Sequence, residues 1–411
     1  MGWKNCIPPP QYSVQSGTIA NLYSVIEHAF VRPNMIWKNG VTYFVGSEDQ
    51  AVSKQKIHVY KYVHATDTFS WQTVGAGSDV ADTFNHNQAY LWNEGSNWYV
   101  GQSNPHNGAI DLWKCDVSDD VIGTWTELAQ ITGGNSYPHF YLDIDGKVAI
   151  NIRTGTSAPN FNLTINKSNA GIEGTFTLQR ITANSENTHR FYNQCPIYYG
   201  TNTIRYFISN RRKDSTGKYF GHALLKTTDN ATFYNADETA SKNVVPTNYL
   251  TNAEIDADYM INGTSGADTA NLGFMTCICV DDVLYGWYIK SGTSDYYMYK
   301  LDGTTATETL IDIPGIYFNT ANDHNMYLYY NGENIVISCR RLVDGQYTNE
   351  LWATPMDLSS FSKRYVYDIP HNSVALLKLP ENLDQITSEY AILTFAYLKV
   401  YLTRTIDKFY I

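Results

Sequence analysis

Short apolar-aromatic runs alternate along the chain with turns built from Asn, Asp and Gly. The first set is MIWKNGVTYFVGS after Asn34, then IHVYKYV and FSWQTV. The second opens at His86 with HNQAYLWNEGSNWYVGQS, then IDLWKCD and GTWTEL. The third opens at Tyr137 with YPHFYLDIDGKVAINIRT, then FNLTINKS and GTFTLQRI. The fourth opens at Tyr192 with YNQCPIYYGTNTIRYFISNRR, then HALLKTTDNATFYNAD. Three further units open near Leu272, His324 and Ser373. Alternating apolar and polar positions bounded by such turns predict strands joined by hairpins.

The openings stand about 50 residues apart, with four strands to a unit, which is the period of a β-propeller blade. The spacing therefore predicts an all-β chain: a seven-bladed β-propeller of four-stranded antiparallel blades, forming one domain over residues 1–411. Ring closure would hide the sheet edges, and the segment PQYSVQS from Pro10 could lock the last blade to the first. Two stacked sandwiches would not give this regular spacing. A polar stretch at about 236–270 breaks it and reads as an insertion loop. Gly123-Thr-Trp-Thr126, Gly174-Thr-Phe-Thr177 and Phe69-Ser-Trp71 are related short motifs at unit ends. The run from Thr227 to Phe233 resembles a decayed Asp-box, a structural turn that carries no chemistry.

Composition supports the class. The 411 residues include 33 Tyr, 16 Phe and 9 Trp, with only 17% charged, and aromatic residues favour strands. The net charge of −11 and the lack of a basic stripe argue against a nucleic-acid partner. A local Arg/His cluster can still hold an anion on an acidic surface. The six cysteines are scattered, unlike a disulfide framework, and read as free thiols. No membrane span is visible. The N-terminus MGWKNCIPPPQYS lacks the apolar region of a secretory signal. The expected location is extracellular or virion-associated, since a phage virion protein is released by lysis.

In a propeller the innermost strands bring the openings of several blades to one face. His86, Tyr137 and Tyr192 stand at equivalent openings of three consecutive units, and His106 and Arg153 follow within the same units. Any one of them alone reads as a structural strand-end residue; the set reads as a site. FNHNQAYLW…GQSNPHNGAIDLWK, SYPHFYLDIDGKVAINIRTG and FYNQCPIYYGTNTIRYFISNRR together resemble the BNR-4 group of propellers, which includes the ulvan lyases of polysaccharide lyase families 24 and 25. The resemblance covers about residues 80–235. It rests on the His86–His106 and Tyr137–Arg153 spacings and on the Tyr137-Pro138 context.

That resemblance implies a seven-bladed propeller cleaving a uronate-containing acidic polysaccharide, sulfated or not, by β-elimination. It implies His86, Tyr137 and Arg153 as catalytic residues, with His106 and Tyr192 binding substrate; Arg211, as a further substrate-binding residue, could contact a sulfate or second carboxylate or else stand in a solvated loop. Arg212 is an alternative to Arg211, and Trp92 and Trp98 could stack on sugar rings or pack between blades. No cofactor is expected. Some relatives carry a structural metal, but no His/Cys cluster here has ligand spacing, and His324 and Cys339 read as core or turn residues. Two other readings stand beside the lyase: a non-catalytic glycan-binding propeller, for example a phage tail or receptor-binding component, and a sialidase-type hydrolase. The latter needs an Arg triad and an Asp acid at the openings, where this chain offers His and Tyr.

Overall fold

A computed structural model describes residues 35–50, 54–63, 65–66, 68–75, 89–104, 108–132, 135–154, 162–183, 189–193, 197–198, 205–213, 219–245, 247–262, 277–289, 295–316, 326–330, 332–367, 390–393 and 406–409. Among them, six antiparallel sheets follow one another along the chain. Sheet I holds Met35–Lys38, Val41–Gln50, Lys54–Val63 and Thr68–Val74. Sheet II holds Ala89–Glu94, Asn97–Asn104, Ala109–Cys115 and Trp125–Glu127. Sheet III holds Asn135–Leu142, Val148–Thr154, Asn162–Ser168 and Phe176–Arg180. Sheet IV is larger; its main path is His189–Asn193, Arg205–Lys213, Tyr219–Thr227, Thr232–Tyr234 and Ser241–Asn243. Sheet V holds Cys277–Val280, Val283–Ile289, Tyr296–Asp302 and Thr305–Leu310. Sheet VI holds Met326–Tyr330, Asn334–Val343, Gln346–Pro355 and Ser362–Tyr367. A separate hairpin pairs Tyr390–Leu393 with Ile406–Phe409.

The turns explain the hairpins. Asn39 and Gly40, and again Asp344 and Gly345, have both backbones at positive φ. That is the type I′ geometry whose twist matches the flanking strands.

The core lies between sheets. One apolar cluster joins Val45 and Val59 of sheet I to Trp98 and Trp113 of sheet II. The next joins Leu112 to Phe140 and Ile150 of sheet III. A third joins Ile165 to Leu225 and Phe233 of sheet IV. A fourth joins Leu224 to Leu284 and Tyr299 of sheet V. A fifth joins Trp287 to Ile335 and Ile337 of sheet VI. The inner sheets of this series thus bury both faces, as propeller blades do and as a single sandwich does not.

A polar repeat fastens the same junctions. The third strands of sheets I to V each carry a lysine at one register position: Lys61, Lys114, Lys167, Lys226 and Lys300. Their cross-strand partners are Tyr43, Tyr99, Ala149, Tyr206 and Tyr285. In sheets I, II, IV and V a lysine or tyrosine of the pair reaches the turn between the third and fourth strands of the next sheet, whereas Lys167 of sheet III binds within its own sheet. Lys61 meets Asp120 at 2.5 Å, and the Tyr43 hydroxyl faces the Asp119 carbonyl at 3.4 Å. Tyr99 and Lys114 both hold Glu173 at 2.7 Å. Lys167 holds Asp143, which accepts from Asn230 at 2.6 Å. Lys226 reaches the Gly303 carbonyl at 3.3 Å. Tyr285 donates to the Met356 carbonyl at 3.1 Å. Burial first, then neighbouring carboxylates, pushes the Tyr43 and Tyr285 phenols up to about 12, so these donors keep their protons.

The turn from Thr227 to Phe233 is closed by one carboxylate. Asp229 accepts from the Ala231 and Thr232 backbone N–H groups, each at 2.8 Å. The polar stretch from 236 also forms short elements as far as 262. Thr251 and Glu254 make a capping box for the helical turn Asn252–Glu254, which continues through Ile255–Tyr259. Leu250, Ile255 and Tyr259 bury against sheets III and IV.

Several carboxylates in these turns sit below their ordinary range. Glu173 is held down by Lys114 and Tyr99. Asp229 and Glu254 are raised by burial but lowered more by the N–H groups and the Lys242 ammonium that face them. A depressed carboxylate stabilises the fold above its unfolded pKa, and that stability is lost as pH falls through the folded value. Urea midpoints are therefore expected to be level above pH about 5 and to fall steadily below pH about 4. A Glu173→Gln/Asp229→Asn double variant should show a shallower acid slope.

Candidate functional site

The hairpin Asp143-Ile-Asp-Gly-Lys147 folds the second strand of sheet III back on the first. The Asp143 N–H donates to the Lys147 carbonyl at 2.6 Å, and the Gly146 N–H to the Asp143 carbonyl at 2.8 Å. Register then runs regularly to Asn151 opposite His139. It shifts there, and Arg153 faces Ser136. Tyr137 and Pro138 together oppose the single residue Ile152, which is a β-bulge. Proline is tolerated in a strand at such a point because the extra residue need not donate to the ladder. The bulge leaves Tyr137 beside the Ser136–Arg153 pair, joining residues that are distant in sequence.

Sheet IV places a tyrosine and an arginine similarly close, but in regular register with no bulge. Phe191 pairs with Arg211 and Tyr192 with Asn210, so Tyr192 and Arg211 lie one register step apart on adjacent strands; Arg212 follows, opposite Arg190. In both sheets these residues occupy the first strand and the later part of the second. Sheet II presents the same end through Ala89, which pairs with Gln102. His86 precedes that first strand and His106 follows the second, and both lie outside the described residues.

The two sheets that lead to this end are held closely together. Gly101 of sheet II lies against Phe140 of sheet III, where an added Cβ would come within 2.6 Å of the ring. The rings of Tyr90 and His139 meet nearly at right angles at 6.0 Å. Below the bulge the interior is closed. Ile150, Ile152, His139 and Asn151 are all fully buried. These two buried polar residues carry no signal in the sequence, because strand alternation marks a face as apolar or polar only on average. Trp98 packs under Tyr43 with ring centroids 4.3 Å apart, and Trp92 packs against Phe140. Of the two stacking candidates, Trp98 is therefore blade packing; it is fully buried.

Among the described residues, no group of three or more His, Cys, Asp or Glu side chains is placed to hold a metal ion. Cys115, Cys277 and Cys339 are buried thiols, and Cys279 is half-buried; none of the four is in a disulfide. His324 lies outside the described residues. No described helix is long and apolar enough to cross a membrane.

No protein-family model matches the sequence, nor does any curated protein. Solved structures do match the fold. One is an ulvan lyase reported as a new polysaccharide lyase family, PL25. It has a TM-score of 0.66 at 15% identity over 95% of this chain and 93% of that one. A PL25 ulvan lyase bound to -[GlcA(1-4)Rha3S]- gives 0.66 at 14% identity, over 95% and 94%. The polysaccharide lyase Uly1 gives 0.61 at 12% identity, over 97% and 94%. The chain has the fold of these propeller enzymes. The likeness in fold covers 95–97% of this chain.

Proposed function

We propose that this chain is a polysaccharide lyase that cleaves a uronate-containing polysaccharide by β-elimination. The observation that carries the reading is the bulge at Tyr137-Pro138. It sets Tyr137 next to the Arg153 pair, within a fold shared almost end to end with ulvan lyases. The same reading takes the chain as a single domain of seven blades working outside the cell on an acidic polymer; the seventh opening expected near Ser373 lies outside the described residues.

The reaction needs three groups. Arg153 neutralises the uronate carboxylate, which acidifies the C5 proton; its planar fork suits a carboxylate and stays charged. A base removes that proton, and the electron pair forms the C4–C5 double bond. The C4–O bond breaks, and an acid protonates the departing oxygen. His86 and Tyr137 supply the base and the acid between them; imidazole titrates near neutral pH. His106, Tyr192 and Arg211 hold the sugar and its anionic substituents.

The test is direct. Incubation with ulvan and with other uronate-containing polysaccharides is expected to produce the ultraviolet absorbance of an unsaturated uronate, together with new reducing ends. His86→Ala should remove that signal without changing the unfolding midpoint. Binding of these polymers with no unsaturated product would refute the lyase and leave a glycan-binding propeller.

A further inference from the structure

The repeat that aligns the sheets also provides an internal comparison. In each of sheets I to V the register position opposite the third-strand lysine fixes a common origin. Two residues beyond it, the second strand carries Val45 in sheet I and Trp287 in sheet V, both buried. In sheet III the same position is Asn151, and its cross-strand partner is His139. Both are 0% exposed. Sheet II has Gly101 at this position; the fold accepts an apolar side chain here in sheets I and V, and sheet III carries a polar one instead.

Burying two polar side chains costs free energy that an apolar pair would avoid. The departure falls immediately beneath the bulge. His139 is separated from Tyr137 only by the buried Pro138, and Asn151 from Arg153 only by the buried Ile152. Opposed residues of an antiparallel pair share a face, so the imidazole and the amide lie side by side. The Tyr90 ring of sheet II closes against His139 edge-on. His139 is sealed from solvent and cannot touch a polymer, so it cannot itself exchange a proton with substrate.

We infer that His139 and Asn151 are positioning residues: a buried polar pair that fixes the strand register around the bulge and thereby sets the Tyr137–Arg153 spacing. This rests on the lyase reading, with its site at Tyr137 and Arg153. A one-residue slip would turn both side chains to the opposite face of the strand pair and bring their neighbours into the buried place, so a buried cross-strand pair at this point marks one register.

The experiment uses the full chain and compares His139→Leu, Asn151→Leu, the double variant and His139→Gln. Steady-state cleavage of a glucuronate-containing polysaccharide is measured beside urea unfolding and calorimetric binding of a glucuronate oligosaccharide. Replacing both members of the pair by apolar groups is expected to leave the unfolding midpoint unchanged or raised. The same double variant should lose about tenfold to a hundredfold in kcat, with a smaller change in KM, as a small misplacement of reacting groups does. The losses of the two single variants should not add, because both disturb one register. His139→Gln should recover part of the rate. If the double variant folds and turns over like the wild type, the inference is overturned and the lyase stands. If activity falls only in step with the unfolding midpoint, the pair is merely structural, which also overturns it. If the wild type binds the oligosaccharide without cleaving it, the lyase reading fails. The inference then stands or falls on whether the double variant loses binding. A wild type that neither cleaves nor binds overturns both.

Discussion

Arg153→Ala is expected to lower kcat for cleavage of a uronate polysaccharide by about 10²–10³-fold, the usual loss when one donor to a developing oxyanion is removed. The charge that forms at C5 spreads into the uronate carboxylate, and a guanidinium there stabilises the enolate-like transition state more than the ground state. That difference lowers the barrier. Arg153→Lys is expected to recover little of the loss, because an ammonium cannot reproduce the two parallel hydrogen bonds of the fork. Stability should change little in either variant, since the register bonds at this position are made by the backbone opposite Ser136. Initial rates from the unsaturated product, with unfolding midpoints as the control, check it. An Arg153→Ala protein within about threefold of wild type would remove Arg153 from the mechanism.

Trp287→Ala should have the largest effect on stability, about 3–5 kcal/mol. Trp287 is fully buried in the core between sheets V and VI. Its indole N–H donates to the Met326 carbonyl at 3.0 Å, and the Tyr296 ring lies 6.0 Å away. Truncation would leave a cavity at this junction and remove a donor to the first strand of sheet VI. Trp287→Phe would restore most of the volume without the N–H and should cost much less. Urea unfolding of the two variants separates packing from hydrogen bonding. Equal midpoints for Trp287→Ala and wild type would contradict the assignment of Trp287 to the core.

The sheets were readable because each announces itself locally. Strand alternation and turns such as Asn39-Gly40 place sheet I between residues 35 and 74, and the openings expected near 86, 137, 192, 272 and 324 lie close to first strands beginning at 89, 135, 189, 277 and 326. The polar stretch from 236 reads as loop by composition. Its described part nonetheless forms a capped helical turn, because burial of Leu250, Ile255 and Tyr259 outweighs the polar surroundings. The capping pattern Thr251-x-x-Glu254 was the signal available there. Pro138 within a strand likewise hinted at the bulge. The junctions between sheets were not readable in this way. Asp120, Glu173 and Asn230 look like ordinary turn residues, and only the fold shows that each is held from the preceding sheet. The repeating lysine was visible in IHVYKYV, IDLWKCD, HALLKTT and YYMYKLD, but its purpose lies in another sheet. The pair His139–Asn151 was hidden for a different reason. Polar residues at buried positions cannot be told from polar residues at exposed ones without knowing which face is covered.

The lysine–tyrosine junction has a consequence for cutting the chain. Every sheet from I to V carries half of the fastening for its successor, so a fragment ending within that series would expose one unmatched half. Sheet VI breaks the pattern: the corresponding cross-strand pair is Val336 and Ala353, which offer no side-chain donor. A circular permutant opened just after Tyr367 would sever none of these fastenings. One opened between sheets II and III would leave Tyr99 and Lys114 on one terminus and Glu173 on the other.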